Sequence, residues 1–88
     1  MRRYSAEWMT IVDDRILEYI YEEGSGSPTQ MTEEGIKASQ PHISRRCSKL
    51  ANHGLLVHLG NGVYQITEDG EAYLEGELDA SELEIDKE

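Results

Sequence analysis

Between Gly35 and Thr67 the chain carries Lys37, Arg45, Arg46, Lys49, the single Cys47 and all three histidines (His42, His53, His58), and no Asp or Glu. Even placement of the 18 acids over 88 residues would put roughly six or seven in that stretch; instead eight precede it and ten follow it. In a chain of formal charge −10, one segment thus holds four basic side chains and nothing to oppose them. Such a segment suits contact with a polyanion.

The basic residues fall on a candidate helix running from Ser39 or Gln40 to His53, with Pro41 in its first turn and Gly54 as its stop. Ile43, Cys47, Leu50 and Ala51 recur at i, i+4, i+7 and i+8 and define a core face. With about 100° per residue, Pro41, Arg45, Ser48 and Asn52 point away from that face. Ser44 and Lys49 flank them, and His42 and Arg46 lie nearer the edge. Arg offers a bidentate contact to guanine and Asn one to adenine, while Ser and Lys commonly hold phosphates. The N-terminal half of such a helix enters deepest into a major groove. Gln40, Pro41, Ser44 and Arg45 are therefore expected near bases. Arg46, Lys49 and Asn52 are expected at phosphates or at later bases, with His42 and Ser48 beside them.

Other chemistry fits poorly. His42, Cys47, His53 and His58 match no compact zinc spacing. Cys47 lies on the apolar stripe, about 140° around the helix from His42, and His42 and His53 are roughly 16 Å apart along it. A core cysteine and surface histidines are expected, with no cofactor or metal. The same geometry rules out a Cys–His nucleophile, and no Gly-rich phosphate loop joins a strand to a helix. No enzyme is expected.

The elements that must position this helix come before and after it. From about Ala6 to Glu23, Trp8, Val12, Ile16 and Ile20 recur every four residues, with Ile11, Leu17 and Tyr21 widening the stripe. Asp13, Asp14, Glu18 and Glu22 take the opposite side. Thr10 could instead cap a shorter helix with Asp13 completing a capping box. Ser25-Gly26-Ser27 reads as a loop. Ser27-Pro28 opens a short second helix over Thr29 to Glu34, with Met31 inward. Ile36-Lys37-Ala38 reads as a brief extended piece with a single bridge.

After Gly54, Leu55 to Leu59 and Val63 to Thr67 flank Gly60-Asn61-Gly62, a hairpin. A type I′ turn at Asn61-Gly62 pairs Gly60 with Val63, Leu59 with Tyr64 and Val57 with Ile66. That places His58 and Gln65 outward, where His58 could touch a phosphate and Asn61 sits at the tip. Thr67 caps a last helix bearing Tyr73, Leu74 and Leu78. The fold expected is mainly α with a small β-hairpin, in the order helix, helix, helix, hairpin, helix: a helix-turn-helix followed by a wing. One domain spans residues 1–78, followed by an acidic tail over 79–88.

The run His42-Ile43-Ser44-Arg45-Arg46-Cys47-Ser48-Lys49-Leu50-Ala51-Asn52-His53-Gly54-Leu55-Leu56 resembles the recognition helix and strand entry of winged helix-turn-helix repressors. Gly60-Asn61-Gly62-Val63-Tyr64-Gln65-Ile66-Thr67-Glu68-Asp69-Gly70 is similar to their wing and next helix cap. With Trp8-Met9-Thr10 and Asp13-Asp14-Arg15-Ile16-Leu17-Glu18, the chain most resembles the phage phi-H repressor-like proteins of haloarchaea over about residues 8 to 78. The resemblance implies a transcriptional regulator in a salt-rich cytoplasm. It departs at Met31-Thr32, where many such domains carry Leu-Ala.

The composition agrees independently. A pI near 4.6 with few lysines suits either high internal salt or a basic partner. The spread of the acids over several elements favours salt. One cysteine excludes an internal disulfide and suggests a reducing compartment, no apolar run approaches a membrane span, and a cytoplasmic location is expected. The expected partner is double-stranded DNA, bound by a homodimeric repressor whose subunit contact is the first helix or the Tyr73-Leu74-Leu78 helix. The alternative is a winged helix that binds protein within the transcription machinery.

Overall fold

The computed structural model describes residues 9–80. It has the expected order: α1 (Ile11–Glu23), α2 (Pro28–Glu33), α3 (Gln40–Asn52), β1 (Leu56–Gly60), β2 (Val63–Ile66) and α4 (Glu68–Leu74). Trp8 and residues 81–88 lie outside the described part.

The first helix is the shorter form, opened at Thr10. Thr10 is its extended N-cap, and the Thr10 N–H donates to the Asp13 carboxylate at 3.0 Å. Ile16, Leu17 and Ile20 are fully buried, as is Asp13. The stripe is therefore centred differently from the apolar reading. Asp13 lies three and four residues before Ile16 and Leu17, hence on their face, while Ile11 and Tyr21 turn outward at 65% and 47% exposure.

In α2 the Ser27 hydroxyl accepts from the Gln30 N–H at 3.2 Å, and the Gln30 side chain accepts in return from the Ser27 N–H at 3.1 Å. This box and Pro28 at the first position fix a helix of only six residues, from which Met31 enters the core. The extended piece over Ile36 to Ala38 makes no bridge. Its amides bond locally, Ile36 N–H to the Met31 carbonyl and Ala38 N–H to the Ile36 carbonyl. The bridge lies in the supposed loop: Gly26 pairs antiparallel with Tyr64 through bonds of 2.9 and 2.8 Å. A Cβ at Gly26 would stand 2.9 Å from the Tyr19 ring, so the strand can approach this closely only without a side chain.

The hairpin keeps the expected turn but not the expected register. Asn61 and Gly62 have φ of 56° and 75°, as a type I′ turn needs, and Gly60 faces Val63. Beyond that a bulge leaves Leu59 unpaired, so His58 faces Tyr64, Val57 faces Gln65 and Leu56 faces Ile66. The reason is Leu56. It leaves the Gly54 turn already buried, and the extra residue keeps it opposite Ile66 on the core side. Val57 and Leu59, expected inward, are instead 43% and 55% exposed.

Thr67 caps α4 by accepting from the Gly70 N–H at 3.1 Å, and its hydroxyl donates to the Gly54 carbonyl at 2.6 Å. The end of α3 is thereby tied to the start of α4. The last helix stops at Leu74, four residues short of Leu78, which packs on the core from the following turn. Tyr73 and Leu74 are buried in the chain's own core, so the α4 face offered as a subunit contact is already occupied. Ala80 is also fully buried, two residues past the boundary drawn at Leu78.

Candidate nucleic-acid interface

The reading helix is fixed at both ends by its own sequence. The Ser39 hydroxyl accepts from the His42 N–H at 3.3 Å, Pro41 occupies the first turn, and Gly54 (φ 85°) terminates the chain's helical course. Ile43, Cys47 and Leu50 anchor the inner face, each at 0% exposure. Gln40, Pro41, Ser44, Arg45, Ser48 and Asn52 are all exposed, and His42 and Lys49 are half-buried beside them. These side chains form a continuous polar surface with one full guanidinium and no carboxylate.

Arg46 does not belong to that surface. Its Nε donates to Asp13 Oδ1 at 2.8 Å and its Nη2 to Oδ2 at 2.6 Å. The pair crosses from α3 to α1, with 16% exposure on the Arg46 side chain and none on Asp13. The hydrogen bond to Asp13, outweighing the opposing effect of burial, pushes the guanidinium's already high pKa higher still. Arg46, expected at phosphates or later bases, thus has a carboxylate partner inside the fold. Sequence contained a hint of this, since Asp13 stands on the face of Ile16 and Leu17, but the partner lies 33 residues away.

Cys47 is a core residue, as expected. Burial first, and the nearby Asp13 charge second, push its thiol up to about 12. His53 is a correction: it is 5% exposed, not a surface histidine, and its Nδ1 lies 2.9 Å from the Lys49 carbonyl. Among the described residues no group of three His, Cys, Asp or Glu is placed to hold a metal, and no buried side-chain polar atom lacks a hydrogen-bond partner.

Tyr64, expected only as a strand residue, joins the wing to α3. The His58 ring stacks on the Tyr64 ring with centroids 4.7 Å apart and planes 26° apart. The Tyr64 hydroxyl lies 3.5 Å from Ser48 Oγ. His58 is thus brought to the α3 set through Tyr64, on the inner-facing side of β1 and not, as expected, on the side of Gln65. Asn61 stands at the hairpin turn, exposed. Val57 and Leu59 give the wing's other face an apolar character that the expected register concealed.

Comparison with known proteins places this architecture. The winged helix-turn-helix phage repressor family matches residues 1–86. The repressor protein of Halobacterium phage phiH is 36% identical over 87 residues, covering 89% of this chain and 92% of that protein. The crystal structure of the PhiH1 repressor-like protein from Haloarcula marismortui superposes with a TM-score of 0.91 at 55% identity, covering 97% of this chain and 98% of that one. No helix among the described residues is long and apolar enough to cross a membrane. The chain belongs to the winged helix-turn-helix phage repressor family.

Proposed function

We propose that the protein is a sequence-specific repressor that binds double-stranded DNA as a homodimer, with the exposed row of α3 in the major groove. The observation that carries the proposal is the outward face of α3: Gln40, Pro41, Ser44, Arg45, Ser48 and Asn52 are exposed together with no acid on the helix. Arg45 reads a base, Gln40 and Ser44 work at the deep end of the helix, and Asn52 works at the shallow end. Lys49 and His42 serve phosphates. His58, held against Tyr64, and Asn61 at the turn make the wing's contacts. The acidic remainder suits a salt-rich cytoplasm, in keeping with relatives from a Halobacterium phage and a Haloarcula species.

The test begins with selection of bound duplexes from a random pool in molar KCl. On the selected site, Arg45→Ala weakens binding by about 1–3 kcal/mol and relaxes preference at one base position, whereas Lys49→Ala weakens all sequences alike. Equal, sequence-independent losses for both would remove base reading from Arg45. Arg45→Glu with Lys49→Glu abolishes duplex retention. A doubly reversed chain that still holds duplex would shift the reading towards a protein partner.

A further inference from the structure

A cleft of about 520 Å³ opens between α1 and the turn that joins α2 to α3. Val12, Tyr19 and Ile36 line it, each partly buried against the core. Ile11 also lines it and projects with 65% of its surface exposed. The charged lining has both signs: Arg15 and Lys37 on one hand, Glu18, Glu22 and Glu34 on the other.

Both signs together are unusual in this molecule. The described residues include five basic side chains: Arg15, Lys37, Arg45, Arg46 and Lys49. Arg46 is bound to Asp13, and Arg45 and Lys49 belong to the outer side of α3. The remaining two both line the cleft. The other charged residues of α1, α2 and α4 are acidic, and a second copy of a chain with formal charge −10 would be repelled there. A two-fold contact presses one patch against its own copy, so the patch must complement itself in shape and charge. A surface with an apolar projection, an apolar floor, two cations and three carboxylates meets that requirement. The Arg15–Glu18 pair within one copy is loose, at 3.9 Å with 62% exposure on the arginine. Pairs of that kind contribute little, so Arg15 can change partner at small cost.

We infer that this cleft is the surface through which two copies of the chain associate. Ile11 of each copy enters the floor of the other, and Arg15 and Lys37 of each face the other copy's carboxylates. The inference rests on the reading that the protein acts as a homodimer on DNA, and of the two expected subunit contacts it takes the first helix, on its outer side, and adds the α2–α3 turn.

Sedimentation equilibrium of the full chain tests it, with circular dichroism and thermal midpoints confirming that each variant folds. Three variants are compared with the parent: Ile11→Glu; the acid-only pair Arg15→Glu/Lys37→Glu; and the base-only set Glu18→Lys/Glu22→Lys/Glu34→Lys. The parent is expected to be a dimer, and Ile11→Glu to raise its dissociation constant at least roughly tenfold. The acid-only and base-only chains are each expected to be monomers, and their equimolar mixture a heterodimer. A monomeric parent, an Ile11→Glu chain that dimerises as the parent does, or a mixture that fails to associate would each overturn the inference. Loss of duplex binding by the acid-only chain with its dimer intact would assign Arg15 and Lys37 to DNA and overturn it as well. Failure of the DNA reading looks different: the charge-swapped pair associates while the parent retains no duplex.

Discussion

The Arg46 guanidinium meets the buried Asp13 carboxylate side-on, through Nε at 2.8 Å and Nη2 at 2.6 Å. The contact fixes α3 against α1 one residue away from Arg45, whose side chain is exposed. Adjacent arginines thus carry opposite roles. Removing Arg46 leaves a carboxylate buried without its counter-charge, a loss of about 3–5 kcal/mol, whereas removing an exposed side chain changes stability by within about 0.5 kcal/mol. Urea unfolding is expected to show Arg46→Ala strongly destabilised and Arg45→Ala near the parent. In duplex binding under folding conditions the larger direct effect belongs to Arg45→Ala. Similar stabilities for the two variants would remove the structural role assigned to Arg46.

Gly70 sits inside α4, where alanine would ordinarily gain about 1 kcal/mol in helix propensity. Here a Cβ would run into the Leu55 carbonyl and stand 2.6 Å from Ile66 Cγ1. A backbone carbonyl cannot rotate aside, so α4 would have to shift away from the strand entry. Overpacking of this kind costs about 1–3 kcal/mol. Gly70→Ala is expected to lower the urea midpoint despite its better propensity, and a raised midpoint would show that α4 has room to move.

The parts of the fold legible in sequence were those set by local rules. Ser27-Pro28 announce α2, Ser39 and Pro41 announce α3, and Asn61-Gly62 announce the turn, because each acts over four residues or fewer. The outward row of α3 followed from helical period alone. What escaped was long-range or polar. Asp13, as an acid, reads as solvent-facing, although its spacing from Ile16 and Leu17 puts it inward, and only the fold brings Arg46 to it. The bulge at Leu59 depends on Leu56 finding the core, which no count of hairpin residues reveals. Gly26 forms a bridge because Tyr64 lies beside it, a pairing across 38 positions.

Cys47 gives a pH signature. Burial, with the Asp13 charge adding to it, moves the thiol from an ordinary 9.0 to about 12. Between those values the unfolded chain has lost the proton and the native chain keeps it. The unfolded state binds fewer protons, so native stability falls as pH rises through that window and is unaffected below it. Cys47→Ala lacks this loss. The stability difference between the parent and Cys47→Ala is expected to be constant up to about pH 8.5 and to shift against the parent at higher pH. In the native state the thiol is expected to react with a soluble disulfide reagent only as fast as the chain unfolds. Rapid native-state modification would show that Cys47 is open to solvent.

The Asp13–Arg46 pair also bears on the salt dependence expected of DNA binding. With Arg46 neutralised internally, Lys37, Arg45 and Lys49 remain in the acid-free stretch to displace counterions. Each phosphate neutralised contributes a slope of about −0.9 in log K against log salt, so three give about −2.7 per copy as the steepest case. If Lys37 lies in the subunit contact, the limit falls to about −1.8 per copy. The measurement uses a chain with Arg2→Ala, Arg3→Ala and Lys87→Ala, so that only the placed basic residues count, titrated with its selected duplex from low to molar KCl. A shallow decline is expected, with base contacts and apolar surface carrying the rest of the affinity. A slope of about −3.6 per copy would mean that Arg46 leaves Asp13 to reach the phosphates, and that the ion pair seen within the free protein opens on the duplex.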